Sequence, residues 1–229
     1  MKKIILVCFS LIALSFAVKA ESIKKSIRLM AKKNHVAMTY QDAKKALFYT
    51  VENIDGIVCS VYTEGQCQKR SHKPINKTLK KKPRGFRLNI EHTWPQSKGA
   101  KELPANSDMH HLFVTSKESN SKRANLPFCD VASIFWELGG SFQGIDMSSQ
   151  DCFEPRDEHK GNVARAMFYF SIRYEMPLDA DQEEVLRQWH TFDPVDQREF
   201  DRNVLIRHFQ GNLNPFIERP ELVEQVQNF

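Results

Sequence analysis

An apolar run from Ile4 to about Val18 follows Met1-Lys2-Lys3 and ends at Val18-Lys19-Ala20. A cationic start, an apolar run shorter than the ~20 residues of a membrane span, and a small-residue end predict a secretory signal peptide over residues 1–20. A membrane anchor is the weaker reading because no stop-transfer pattern follows, and Cys8 lacks the small-residue context of a lipoprotein site. Beyond it, Ala43, Ala46, Leu47, Tyr49 and Val51, with Asp42 near the start, predict a helix over Tyr40–Glu52. Ile57–Tyr62 reads as a strand. Phe86, Leu88 and Ile90 alternate with polar neighbours, which predicts a strand running directly into Glu91-His92. Asp108–Val114 is a second candidate strand, and Thr115–Asn125 a polar loop passing into a short helix. Apolar residues at helical spacing mark Asn162–Tyr174, Asp181–His190 and Val195–Phe209, so the C-terminal half is mainly helical. The fold class expected is α+β, mixed and mainly α-helical. With no linker and no internal repeat, residues 21–229 predict a single domain.

Charge sharpens this picture locally. The formal net charge of +5 falls to +2 once Lys2, Lys3 and Lys19 leave with the signal peptide. No acidic residue lies between Gly65 and Ile90, where Lys69, Arg70, Lys73, Lys77, Lys80, Lys81, Lys82, Arg84 and Arg87 cluster. Such a run is commonly only a solvated loop, and equally a phosphate contact if the partner is nucleic acid. Four cysteines remain after export, Cys59, Cys67, Cys129 and Cys152, and an oxidising compartment makes disulfides the default. Three pairings are open; Cys59 with Cys67 and Cys129 with Cys152 each join segments able to form adjacent strands. Zinc is disfavoured because no C-x-x-C accompanies them.

The candidate chemistry is concentrated in Glu91-His92-Thr93-Trp94-Pro95-Gln96-Ser97, Ser107-Asp108-Met109-His110-His111-Leu112 and Asn120-Ser121-Lys122-Arg123-Ala124-Asn125. These supply hard oxygen ligands, imidazoles and cations. Phosphodiester hydrolysis needs a base for water, a cation to offset phosphate charge, and groups to hold the substrate. A neutral imidazole suits the first role. Extended backbone at Glu91-His92 would send the two side chains to opposite sides.

These segments resemble the bacterial endonuclease I family of periplasmic and extracellular nucleases, whose active site is the ββα-metal (His-Me finger) motif. The Glu-His-x-x-Pro element is similar to Glu91–Pro95, the Asp-Met/Leu-His-x-Leu element to Asp108–Leu112, and the Asn-x-x-Arg-x-Asn element to Asn120–Asn125. Phe153–Gly161 with Ala164-Arg165, and Gln210–Phe216, extend the resemblance over roughly residues 40 to 220. It implies His92 as general base, Glu91 and Asn120 as protein ligands of one Mg²⁺ (Ca²⁺ or Mn²⁺ being alternatives), and products with 5′ phosphates. It also implies DNA, or RNA, as partner and a periplasmic or secreted location; no stable membrane association and a monomer are expected.

The departures matter too. His111 stands where some members have Asn and is expected to have no catalytic role; His110 is expected to be structural. The short stretch between Ser97 and Ser107 lacks the arginine that some members place on the scissile phosphate. Arg123 is the candidate substitute, with Lys98 and Lys101 behind it and Arg84 and Arg87 as further substrate contacts. Trp94, Phe168, Tyr169 and Phe170 are expected in the core, and Asn125 as a loop brace. No recognition helix, zinc finger or H-E-x-x-H is present, which predicts low sequence specificity and excludes the zincin class. Two rival readings are a secreted polyanion-binding module without catalysis and a metal-dependent esterase for small phosphate esters.

Overall fold

The computed structural model describes residues 20–69 and 87–229. The apolar leader, and the cationic stretch 70–86 that contains Arg84, lie outside the described residues.

Residues 20–32 form helix α1, which buries Ile27 and Ala31. Helix α2 (Tyr40–Ala46) is capped by Thr39, whose hydroxyl accepts from Asp42 N–H, and passes into a π-helical turn over Leu47–Val51. The single helix expected over Tyr40–Glu52 is thus two pieces. Strands β1 (Asn53–Ile54), β2 (Ile57–Cys59) and β3 (Cys67–Lys69) form a small antiparallel sheet, so the strand expected to reach Tyr62 stops at Cys59. β4 (Leu88–His92) pairs antiparallel with β5 (Leu112–Ser116), Glu91 opposite Phe113 and His92 opposite Leu112. β5 begins later than expected because 3-10 turns occupy Ala105–Ser107 and Met109–His111. Helix α3 (Lys117–Arg123) follows β5 without a loop, and its N-cap Ser116 accepts from Ser119 N–H at 3.1 Å, an interaction worth about 1 kcal/mol.

A third antiparallel sheet, β6 (Ser133–Leu138), β7 (Ser141–Ile145) and β8 (Asp151–Glu154), was not expected. The remainder is helical: α4 (Lys160–Tyr174), α5 (Ala180–Phe192), α6 (Gln197–Gln210) and the short α7 (Pro215–Glu218), the first three within two residues of the expected bounds. The architecture is α+β, mainly helical, around a ββα unit.

Two apolar clusters sandwich that unit. The larger surrounds α4, where Phe168 and Phe170 are fully buried with Trp94, Phe128, Phe153 and Trp189. The smaller joins Leu47 and Val51 of the π-turn to Ile90, Leu112, Val114 and Ile206. Cys59 and Cys67, partners in the β2–β3 register, form one disulfide, and Cys129 and Cys152 the other, as anticipated.

Candidate active site

β4 delivers Glu91 and His92 at its end, and extended backbone parts them. Glu91 is 2% exposed and turns toward Tyr62 and Arg123. His92, 8% exposed, turns toward Tyr40, which stacks on it at 5.5 Å, and toward the edge of His111 at 5.5 Å.

The His92 tautomer follows from its partners. Nε2 lies 3.0 Å from the Asn106 carbonyl, which only accepts, so Nε2 carries the hydrogen and Nδ1 keeps its lone pair. The Gln96 amide nitrogen lies 3.2 Å from Nδ1 and donates to it. Burial lowers the His92 pKa, with the Asn106 carbonyl working in the opposite direction. The imidazole is therefore neutral near pH 7, with Nδ1 as the basic atom.

Glu91 is held from one side. Tyr62 O–H donates to Oε1 at 3.3 Å, and Arg123 Nε lies 3.1 Å from the same oxygen, as an ion contact without hydrogen-bond alignment. Burial still pushes the Glu91 carboxyl up to about 7, outweighing Arg123 and Tyr62. One guanidinium thus falls short of compensating the buried carboxylate, and a second cation fits there. Asn120, one turn into α3, donates Nδ2–H to the Ile90 carbonyl at 2.9 Å, which fixes the amide and turns Oδ1 away from that bond. Asn120, Glu91 and His92 line one cleft of about 520 Å³ with Tyr40 and Gln96. A carboxylate and an amide oxygen are hard donors suited to Mg²⁺, Ca²⁺ or Mn²⁺ with water completing the shell. Among the described residues no three or more His, Cys, Asp or Glu gather as a metal site.

Arg123, expected on the substrate, is placed elsewhere. It is 1% exposed, donates through Nη2 to the Thr93 carbonyl at 2.8 Å and through Nη1 to the Ala124 carbonyl at 3.2 Å, and lies over the Phe128 ring. The structure makes it a support of Glu91. Lys98, Lys101 and Arg87 are exposed and do not line the cleft. Asn125 braces the 3-10 turn Gln96–Lys98 through Ser97 Oγ at 3.4 Å, and Trp94 stacks on Phe170 at 4.8 Å.

The second motif is a tether. Asp108 accepts from Tyr169 O–H at 2.7 Å, Tyr174 O–H at 2.8 Å and Gln210 Nε2–H at 2.8 Å, and pairs with Arg173. His110 Nε2 bonds the Asn212 carbonyl and His111 Nε2 the Ala105 carbonyl. Together these fix the 105–111 turns that present the Asn106 carbonyl to His92. Tyr62, Asn106, Gln96 and Tyr40 were missed as site residues. Gln96 lies in the first motif and was within reach of sequence reasoning; Tyr62 carried no local signal.

The profile of the Endonuclease I family matches residues 18–221. An extracellular ribonuclease of Bacillus subtilis (strain 168) is 33% identical over 159 residues, covering 60% of this chain and 53% of that protein. An extracellular deoxyribonuclease of Aeromonas hydrophila is 36% identical over 112 residues, 49% of each chain, and a periplasmic deoxyribonuclease of the same organism is 36% identical over 112 residues, 49% of this chain and 47% of that one. The chain spans about half the length of the relatives it matches. With the match running through the ββα unit and the helices that buttress it, this chain belongs to the Endonuclease I family.

Proposed function

We propose that this protein is an exported metal-dependent endonuclease that hydrolyses phosphodiester bonds of DNA and RNA with little sequence specificity. The observation that carries the reading is the convergence, in one cleft, of a buried carboxylate short of positive charge, an amide oxygen turned by its own hydrogen bond, and a neutral histidine with a fixed tautomer. The matched relatives bear ribonuclease and deoxyribonuclease names, which supports both polymers as substrates. Their extracellular and periplasmic names support export, as does the leader expected over residues 1–20. We take residues 21–229 as one catalytic domain and the working form as a monomer.

In this reading Glu91 and Asn120 hold Mg²⁺. When bound, the ion supplies Lewis-acid stabilisation of the charge that builds on the phosphate. His92 Nδ1 takes the proton of the attacking water, while its Nε2–H stays on the Asn106 carbonyl and keeps the ring aimed. Tyr62 and Arg123 keep the Glu91 carboxylate oriented, as partners behind a ligand do. Lys98, Lys101 and Arg87 contact phosphates flanking the cleft, a role in which they add affinity without reading sequence.

The test is cleavage of supercoiled plasmid and of a long RNA by the purified protein, with Mg²⁺ or EDTA, against His92→Ala. Metal-dependent cutting that the substitution abolishes in a folded protein is expected. A protein that retards plasmid in a gel but cuts neither polymer with any divalent ion is instead a binding module.

A further inference from the structure

Beside the cleft lies a second cavity of about 380 Å³ with a different character. Trp94, Met167, Met176 and Leu178 give it an apolar lining. Lys98 and Asp179, both exposed, and the half-buried Gln182 add polar groups at its mouth. The Gln182 carbonyl oxygen already accepts from Phe128 N–H at 2.8 Å, so its amide nitrogen is the end left to donate. Arg123 lines it too, its guanidinium engaged by Glu91 and two carbonyls, and Asp179 Oδ1 caps α5. The cavity thus offers Lys98 and Gln182 as donors and the second Asp179 oxygen as acceptor around apolar walls. That is the complement of a flat aromatic heterocycle with a hydrogen-bonding edge, and thioethers such as Met167 and Met176 adapt well to aromatic faces.

Its position gives the occupant a source. Pro95 lines both this cavity and the catalytic cleft, and the 3-10 turn Gln96–Lys98 and the end of α3 border both. Three residues of 3-10 helix rise about 6 Å, roughly the reach of one nucleotide. The turn is held in place: Gly99, at φ 121°, abuts Met176, and Trp94 Nε1–H donates to the Lys98 carbonyl at 2.8 Å. A larger depression that shares Lys98, Asp179 and Gln182 with this cavity carries Asp130, Asp146, Asp181 and Glu184. Those carboxylates disfavour a phosphate beside the cavity, and the apolar lining of the 380 Å³ cavity itself suits the neutral base.

We infer that this cavity is a nucleobase subsite, which takes the base of a nucleotide next to the scissile phosphate. The inference rests on the nuclease reading for its strand, and adds a base-gripping element that phosphate contacts alone lack. Stacking and edge contacts of one base are worth roughly tenfold in affinity or more. Leu126, half-buried on the cavity wall, and Met176 are the positions from which an indole would fill it.

The experiment measures Kd of fluorescent single-stranded hexanucleotides in EDTA, so that nothing is cut. One has normal bases; the other is an abasic backbone of the same length. Wild type is expected to prefer the base-bearing strand about tenfold, and Leu126→Trp and Met176→Trp, each folded by thermal melt, to bring that preference close to one without changing the abasic Kd. Equal binding of both strands by wild type overturns the subsite, and so does a preference that survives both substitutions, which places stacking elsewhere. Plasmid cutting with Mg²⁺ is scored separately: normal base preference without cutting sinks the nuclease reading and leaves the cavity assignment standing.

Discussion

His92 Nε2 lies 3.0 Å from the backbone carbonyl of Asn106, in a turn fourteen residues along the chain. The contact leaves Nδ1 as the only basic nitrogen, and burial keeps the ring neutral by lowering its pKa. His92→Ala is expected to reduce kcat by about 100-fold or more. Because the neutral ring is the active form and its pKa lies below 6.5, wild-type activity at saturating metal should hold down to pH 6.5 and fall only in more acid solution. Initial rates on plasmid from pH 5 to 8 check this; a midpoint above pH 7 would rule out His92 as the limiting base.

Arg123 and Glu91 are a buried pair, and removing one partner strands the other. Arg123→Met is expected to lower stability by about 3 kcal/mol. The double variant Glu91→Gln with Arg123→Met removes both charges and should recover most of that loss. Guanidinium melts of the single and double variants decide the matter. If Arg123→Met were as stable as wild type, the ion contact at 3.1 Å would carry no weight.

Metal binding should release a proton near neutral pH. The Glu91 carboxyl is raised to about 7 by burial in the metal-free protein, whereas a ligand must be ionised. Mg²⁺ affinity is therefore expected to fall up to about tenfold per pH unit below 7 and to level off above it. Calorimetric titrations at pH 6, 7 and 8, in buffers of different ionisation enthalpy, read both affinity and protons released. Affinity independent of pH over that range would remove Glu91 as the titrating ligand.

Three buried histidines give stability its own pH dependence. Burial lowers His110 to about 4, and His111 and His159 to about 3. Each folded value lies below the ordinary 6.5, so the unfolded chain takes up protons first as pH falls. Their stability is complete above about pH 6.5 and drains away between there and pH 3 to 4, by at most about 1.4 kcal/mol per histidine per unit. Metal-free Glu91, with Asp193 and Glu199, also raised by burial, works in the opposite sense, while His35, His92 and His190, all lowered by burial, add to the three. The melting temperature at pH 5 should be at least about 5 °C below that at pH 7.5, and a flat profile by scanning calorimetry would contradict the burial of these rings.

What the sequence revealed of this site, and what it hid, follows from how each feature is encoded. Leu88 and Ile90 alternate with polar residues on a half-buried strand, so β4 and the divergence of Glu91 and His92 were legible. So were α5 and α6, which bury one face against the core, and α4, which is buried nearly all round. β6 escaped because Ile134-Phe135-Trp136 are consecutive on an exposed edge strand with a bulge, and that breaks the two-residue period. Arg123 was misplaced because charge at a helix end normally means solvent, while here Glu91 and two carbonyls satisfy it inside. Tyr62 and the Asn106 carbonyl reach the site through tertiary packing alone.

The loop closed by Cys59 and Cys67 is where covalent chemistry meets the site. Both cysteines are exposed, yet the chain between them supplies Tyr62 to Glu91 and Ser60 to the Ser116 N–H at 3.0 Å, and Thr63 Oγ1 meets Ser119 Oγ at 2.6 Å. Closing so short a loop contributes about 2.5 kcal/mol in the chain-entropy account. Replacing both cysteines with serine should cost about that much, and should also lower metal affinity, because Tyr62 and the start of α3 lose a common anchor. Tyr62→Phe separates the two effects: it removes the hydroxyl from Glu91 while leaving the crosslink, so it should share the metal-affinity loss and little of the destabilisation. Guanidinium melts and Mg²⁺ titrations on the three proteins resolve this. If the serine pair lost stability but bound Mg²⁺ as wild type does, the crosslink would stabilise the fold without positioning Glu91.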